Sequence, residues 1–169
     1  AEAGFSAVTA GLAWKGQRRV RGVGGNIFDY TDGQLDDIPS SVWNEGPVTR
    51  GGIIDSTGPL KNNLGYNFPT VDSLYDRILS STKSYDTTSK TYLDASKWLS
   101  KLKSDINKLK QFTEKSWNGK RISPDLYDSK CLNIVLPNCE LTDAQKVALQ
   151  QAKEYAKKLE IDIKIYITK

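Results

Sequence analysis

Four residues carry the chemistry this chain could do: Asp55, Asp72, Ser81 and Lys83. Two carboxylates can hold a divalent cation (Mg, Mn or Zn) that polarises a phosphoryl oxygen and lowers the pKa of a bound water. A nearby lysine orients or deprotonates that water and stabilises charge as it develops. Ser81 and Lys83 stand two apart in "RILSSTKSYD", residues 77–86, so on a strand they share a face. Asp72 lies in the preceding strand-like run "YNFPTVDSL", where a hairpin would set it beside them. Spacing alone also admits a plainer reading: Lys83 as a solvent-facing edge lysine, with the acids as unrelated surface charges. A set this sparse arises by chance in many α/β domains.

Composition narrows the chemistry. Among 169 residues there is no histidine, which removes histidine general bases, histidine-bound metal sites and any Ser-His or Cys-His triad. Hydrolysis here must rest on carboxylates, lysine or a metal held by oxygen ligands. The net charge of +4 permits an anionic partner without demanding one. The length suits one domain, and the polar and apolar balance is that of a soluble globular chain. There is no methionine, so the chain is expected to be a piece of something longer. No apolar run approaches the roughly 18–20 residues that span a bilayer. The opening "AEAGFSAVTAGLAWKG" lacks the basic then apolar order of a signal peptide. Cys131 and Cys139 are too few for a zinc site or a disulfide framework; buried free thiols or a single disulfide are both open.

The elements that must position the four residues can be read from periodicity. Residues 1–40, with "KGQRRVRGVGGN" at their centre, are expected to be an irregular segment or linker holding a short helix over 4–14. Its glycines lack the strand–turn–helix setting of a dinucleotide site. Residues 41–169 form the working domain. "SSVWNEGPVTRGGIIDSTG" predicts a helix with Pro47 in its first turn, ending near Gly58-Pro59. "YNFPTVDSL" and "RILSSTKSY" predict a hairpin. "LDASKWLSKLKSDINKLKQF" is an amphipathic helix with Ala95, Leu99, Leu102, Ile106 and Leu109 inward. "CLNIVLP" reads as a buried strand. "LTDAQKVALQQAKEYAKKLE" is a second helix, with Thr142 as N-cap and Ala144, Val147, Ala148, Ala152, Tyr155 and Leu159 inward. "IDIKIYITK" closes the chain as an alternating strand, parallel to the one before through a crossover.

Three motifs, taken in order, resemble the C-terminal toxin domains of contact-dependent growth inhibition (CDI) effector proteins, in their restriction-endonuclease-like, PD-(D/E)-x-K branch. The family's P-V-x-R-G-x-x-I-E helix is matched by Pro47-Val48-Thr49-Arg50-Gly51 with Asp55. Its F-P-x-x-D is matched by Phe68-Pro69 with Asp72, and its S-[IVL]-K-[ST]-x-D strand by Ser81-Thr82-Lys83-Ser84 with Asp86. The match covers residues 40–92 by motif and reaches the C-terminus by element order only. Two departures matter. The family's first acid is usually Glu, and Asp55 is one methylene shorter. Ser81 fills the third acidic slot, as the toxin branch accepts, which leaves two carboxylates.

The resemblance implies an α/β fold with a mixed central β-sheet flanked by helices, on a restriction-endonuclease-like core. It implies a metal-dependent phosphodiesterase with Asp55, Asp72, Ser81 and Lys83 catalytic and Asp55 and Asp72 on the metal. It also implies a secreted or cell-surface effector fragment acting in the target-cell cytoplasm, and a cognate immunity protein as partner. The substrate is tRNA or DNA; the modest, discontinuous basic patches lean to RNA. A non-catalytic binding module on the same fold is the rival. Arg50 either holds a phosphate or caps the acidic pair. Trp43 and Trp98 are expected in packing, Asp86 in a turn, and Lys101, Lys103, Lys108 and Lys110 on a solvated helix face.

Overall fold

The computed structural model describes residues 30–169. The helix expected at 4–14 and the stretch "KGQRRVRGVGGN", with Arg18, Arg19 and Arg21, lie outside the described residues. Within them the order is β1 (Gly33–Leu35), α1 (Pro47–Ser56), β2 (Ser73–Tyr75), β3 (Ile78–Ser84), α2 (Lys90–Leu93), α3 (Ala95–Gln111), β4 (Lys115–Trp117), β5 (Lys120–Ile122), β6 (Ser129–Leu136), α4 (Asp143–Lys158) and β7 (Ile161–Thr168). Five strands make one mixed sheet in the spatial order β1-β7-β6-β3-β2. β3, β6 and β7 run parallel, and so does β1 on β7; β2 returns antiparallel on β3. Parallel neighbours need crossovers, and α3 and α4 supply them. This is the mixed α/β sheet flanked by helices that the sequence leads one to expect. No helix among the described residues is long and apolar enough to cross a membrane.

β6 is buried along Cys131–Leu136 and divides the core in two. Leu132, Ile134 and Leu136 join Trp98, Leu102, Ile106 and Leu109 of α3 and Ala148, Leu149, Ala152 and Ala156 of α4 in one cluster. Val135, which alternation turns to the other face, joins Leu35, Ile38, Val42 and Ile54. Fully burying each large side chain contributes roughly 1.5–3 kcal/mol. Trp98 is in the core as expected; Trp43 is half-buried, with its indole N–H donating to Thr168 Oγ1 at 2.8 Å. The ends of the long helices are chemically defined. Asp94 accepts from the Ser96 and Lys97 amides to start α3. Thr142 and Gln145 exchange side-chain and backbone bonds in a capping box that starts α4.

Two readings change, one unread stretch gains a hairpin, and one open point is settled. Residues 33–35 lie in the stretch expected to be irregular, yet they form the sheet's edge strand on β7. α4 keeps Ala148, Ala152, Tyr155 and Leu159 inward as expected, but Val147 is 57% exposed and Ala144 also faces water, while Gln145 and Leu149 are buried. Counting apolar residues misjudged the edge of that face because Gln145 is polar but fully used. Its amide donates to the Thr87 and Tyr92 carbonyls, each at 2.8 Å. β4 and β5 form a hairpin of their own across Asn118-Gly119, both at positive φ (49° and 79°), as a two-residue mirror-image turn requires. Both cysteines are free; Cys131 is buried, with its thiol pushed up to about 12 by burial, but Cys139 is exposed.

Candidate active site

The β2–β3 hairpin places Asp72. Its turn, Asp76-Arg77, has positive φ at both residues (52° and 64°), which suits the twist of the flanking strands. Strand pairing begins at Ser73 opposite Ser80. One residue earlier, Asp72 N–H donates to the Ser80 carbonyl at 2.8 Å, and the Asp72 carboxylate accepts the Thr82 N–H at 2.7 Å. The acid therefore lies alongside the β3 segment that carries Ser81 and Lys83. The approach to it is strained. Thr70 has φ 72° and Val71 N–H closes back on the Pro69 carbonyl at 2.8 Å, a γ-turn centred on an exposed β-branched residue.

α1 brings Asp55. Pro47 occupies its first turn after Gly46, and Asp55 sits in its last. Burial pushes the Asp55 pKa up from 3.8 to about 7; the Asp72 charge adds to this and Lys83 opposes it. Asp72 is raised too, by burial first, against the Thr82 N–H and the Lys83 charge. Asp55, Asp72 and Lys83 thus lie within one electrostatic field, although α1, the β2 end and β3 supply them separately. Ser81 is buried on β3, and its Oγ has no hydrogen-bond partner.

Arg50 is 7% exposed and held within the protein. Its Nε donates to Ser84 Oγ at 2.9 Å, Nη1 donates to the Glu45 carbonyl at 3.3 Å, and the guanidinium lies 4.9 Å from the Trp43 ring centre. These contacts pin α1 to β3. Asp86 does make the expected turn, accepting from the Thr88 N–H and hydroxyl at 3.0 and 2.6 Å. On α3, Lys101 reaches Asp105 at 3.2 Å and Lys103 lies over the Tyr155 ring, while Lys108 and Lys110 are exposed.

The donor set suits a hard cation. Two carboxylates held against their mutual repulsion in a desolvated place would gain from a positive charge between them. Among the described residues no three His, Cys, Asp or Glu side chains converge as a metal cluster. Any ion would therefore take two carboxylates from the protein and complete its shell with weaker oxygens and water.

Sequence reading missed the groups around this site. Tyr85, two residues beyond Lys83, donates its hydroxyl to the buried Asp105 at 2.7 Å and packs edge-on against Trp98 and Tyr92. Asn62 and Asn63 also went unread, though adjacent asparagines ahead of a glycine are a turn signal.

A helix-borne acid ahead of an acid-and-lysine hairpin, with parallel strands and helices behind it, defines a restriction-endonuclease-like α/β domain. The family model for the CDI toxin restriction endonuclease-like domain matches residues 50–166, and the chain belongs to that family. Among solved structures it is similar to the CdiA-CT/CdiI toxin and immunity complex from Yersinia pseudotuberculosis. The two are 26% identical; the match covers 70% of this chain and 97% of that one, with a TM-score of 0.58. No curated protein matches.

Proposed function

We propose that this domain is a metal-dependent nuclease toxin that cleaves nucleic acid inside a target bacterium and is neutralised by a cognate immunity protein. The observation that carries this is the shared field of Asp55, Asp72 and Lys83, two desolvated carboxylates beside one lysine. Family membership supports the nuclease chemistry, and the toxin–immunity pairing of the similar Yersinia structure supports the partner. The same membership supports delivery from the surface of one cell into the cytoplasm of another.

In this reading Asp55 and Asp72 hold a divalent cation, Mg, Mn or Zn, with Ser81 as an oxygen donor at its margin. The cation, when bound, activates water and stabilises charge on the scissile phosphate. Lys83 orients the attacking water and offsets negative charge as it builds. Asp72 is oriented for this by the Thr82 N–H. Arg50 would have to leave Ser84, Glu45 or Trp43 to grip a phosphate, so its role here is to fix α1 against β3. The substrate is tRNA or DNA. The cations on α3 and on the β4–β5 hairpin are broken into separate groups, which favours RNA over a duplex-length contact.

The deciding experiment incubates the protein with total tRNA and with plasmid DNA, with Mg, Mn or Zn and with a chelator. Cleavage that requires metal supports the nuclease and identifies its substrate. Binding to either nucleic acid without cleavage in any metal would instead make the domain a non-catalytic binding module.

A further inference from the structure

Two consecutive backbone amides touch both acidic residues. Asn62 N–H donates to the Asp55 carbonyl at 2.7 Å, and Asn63 N–H donates to the Asp72 carbonyl at 3.3 Å. Neighbouring Cα atoms across a peptide unit lie about 3.8 Å apart, and the unit is planar and stiff. One peptide therefore sets how far the end of α1 stands from the start of β2.

Each asparagine side chain then holds its own half of this link. Asn62 Oδ1 accepts from the Leu64 N–H at 2.7 Å and the Gly65 N–H at 3.0 Å, a turn made possible by Gly65 at φ 94°. That turn delivers Leu64 into the main core. Asn63 Nδ2 donates to the Leu74 carbonyl and Asn63 Oδ1 accepts the Leu74 N–H, both at 2.8 Å. β2 is an edge strand, and here a side-chain amide takes the place of a neighbouring strand's peptide. Only an amide serves at position 63, because the contact needs a donor and an acceptor together.

We propose that Asn62 and Asn63 are positioning residues that set the separation of Asp55 and Asp72. The activity part of this inference rests on the nuclease reading; the positioning part does not. The acid pair must hold to about half an ångström to bind an ion and act together.

The test has one arm free of activity. Urea unfolding at pH 8 of Asp55→Asn, Asp72→Asn and the double variant, in the parent and again with Asn63→Ala, measures the coupling between the two acids. We expect a several-fold coupling factor in the unfolding equilibrium constants of the parent, falling towards one with Asn63→Ala. Coupling that stays at the parental value overturns the proposal. Should Asn63→Ala not fold, Asn62→Ala set against Asn62→Asp carries the same cycle, since the aspartate keeps the turn acceptor. The second arm is kinetic. Asn62→Ala and Asn63→Ala should lower kcat by about tenfold or more with little change in KM, and Asn62→Asp should recover most of the loss. Unchanged kcat in both alanine variants also overturns the proposal. A parent that cleaves nothing in any metal sinks the nuclease reading alone, and the unfolding cycle still decides the positioning.

Discussion

The Asp72 carboxylate accepts the Thr82 N–H, the one backbone donor that lies between Ser81 and Lys83 in the chain. An acid on one side of a hairpin is thereby bonded to the backbone of the strand that carries the lysine. That bond fixes the Asp72 carboxylate against the β3 backbone.

Lys83→Ala should therefore abolish metal-dependent cleavage while the fold survives. The half-buried lysine makes no bond that anchors the sheet, so its loss should change stability by no more than about 1 kcal/mol. Because the lysine's charge lowers both acids, the variant should also titrate Asp55 above the parental value of about 7. Carboxyl NMR and a cleavage assay check the two effects, and full activity in the variant would remove Lys83 from the site.

Asp72→Asn keeps an oxygen to accept the Thr82 N–H but loses the charge. Divalent-ion affinity, read by calorimetry, should fall by about tenfold or more, with cleavage falling alongside. The like charge beside Asp55 is also gone, so the Asp55 titration should move down. Normal ion binding and normal cutting would show Asp72 to be structural.

Asp55 makes stability depend on pH. Its folded pKa is about 7 against 3.8 when unperturbed, so between these values the folded state holds more proton than the unfolded chain. The stability it contributes is full below about pH 4, is lost as pH rises towards 7, and is flat above that. Asp72, also raised, has the same sign. Asp55→Asn should exceed the parent in urea resistance at pH 8 and converge with it near pH 4. In the metal-free protein, equal midpoints at pH 8 would mean that the surroundings do not raise the Asp55 pKa.

The shorter acid can be tested directly. Asp55→Glu should maintain or raise metal-dependent cleavage, and Asp55→Ala should remove it, with tRNA and DNA assayed side by side. If Asp55→Ala cuts as fast as the parent, the first acid lies elsewhere on the chain.

Tyr85→Phe tests the buried group behind the lysine. It leaves the Asp105 carboxylate, 2% exposed, with Lys101 as its charged partner but without the phenol. Loss of a buried bond to a carboxylate costs about 1–3 kcal/mol. The urea midpoint should drop by the corresponding amount with an unchanged slope, and a midpoint equal to the parent's would show that the bond adds nothing net.

What the sequence determined by itself are the elements whose pattern repeats within a single segment. α3 and α4 show helical periodicity over many turns, β6 is a continuous apolar run, and β7 alternates; each needs no knowledge of its neighbour to be read. The placement of Asp55, Asp72, Ser81 and Lys83 along helix and hairpin was readable for another reason, from local turn signals and three short motifs rather than from any repeat. Tertiary structure alone decided the rest, because the deciding partner is remote in the chain. β1 is three residues with no pattern of its own, and it is a strand because β7 offers an edge. α4 turns Gln145 inward because the Thr87 and Tyr92 carbonyls need a donor. Arg50 is drawn inside by Ser84, and the two acids are brought to their spacing by the amides of Asn62 and Asn63. Each of these depends on satisfying a backbone or polar group that only folding brings within hydrogen-bond reach, and no local run of residues records where that group will be.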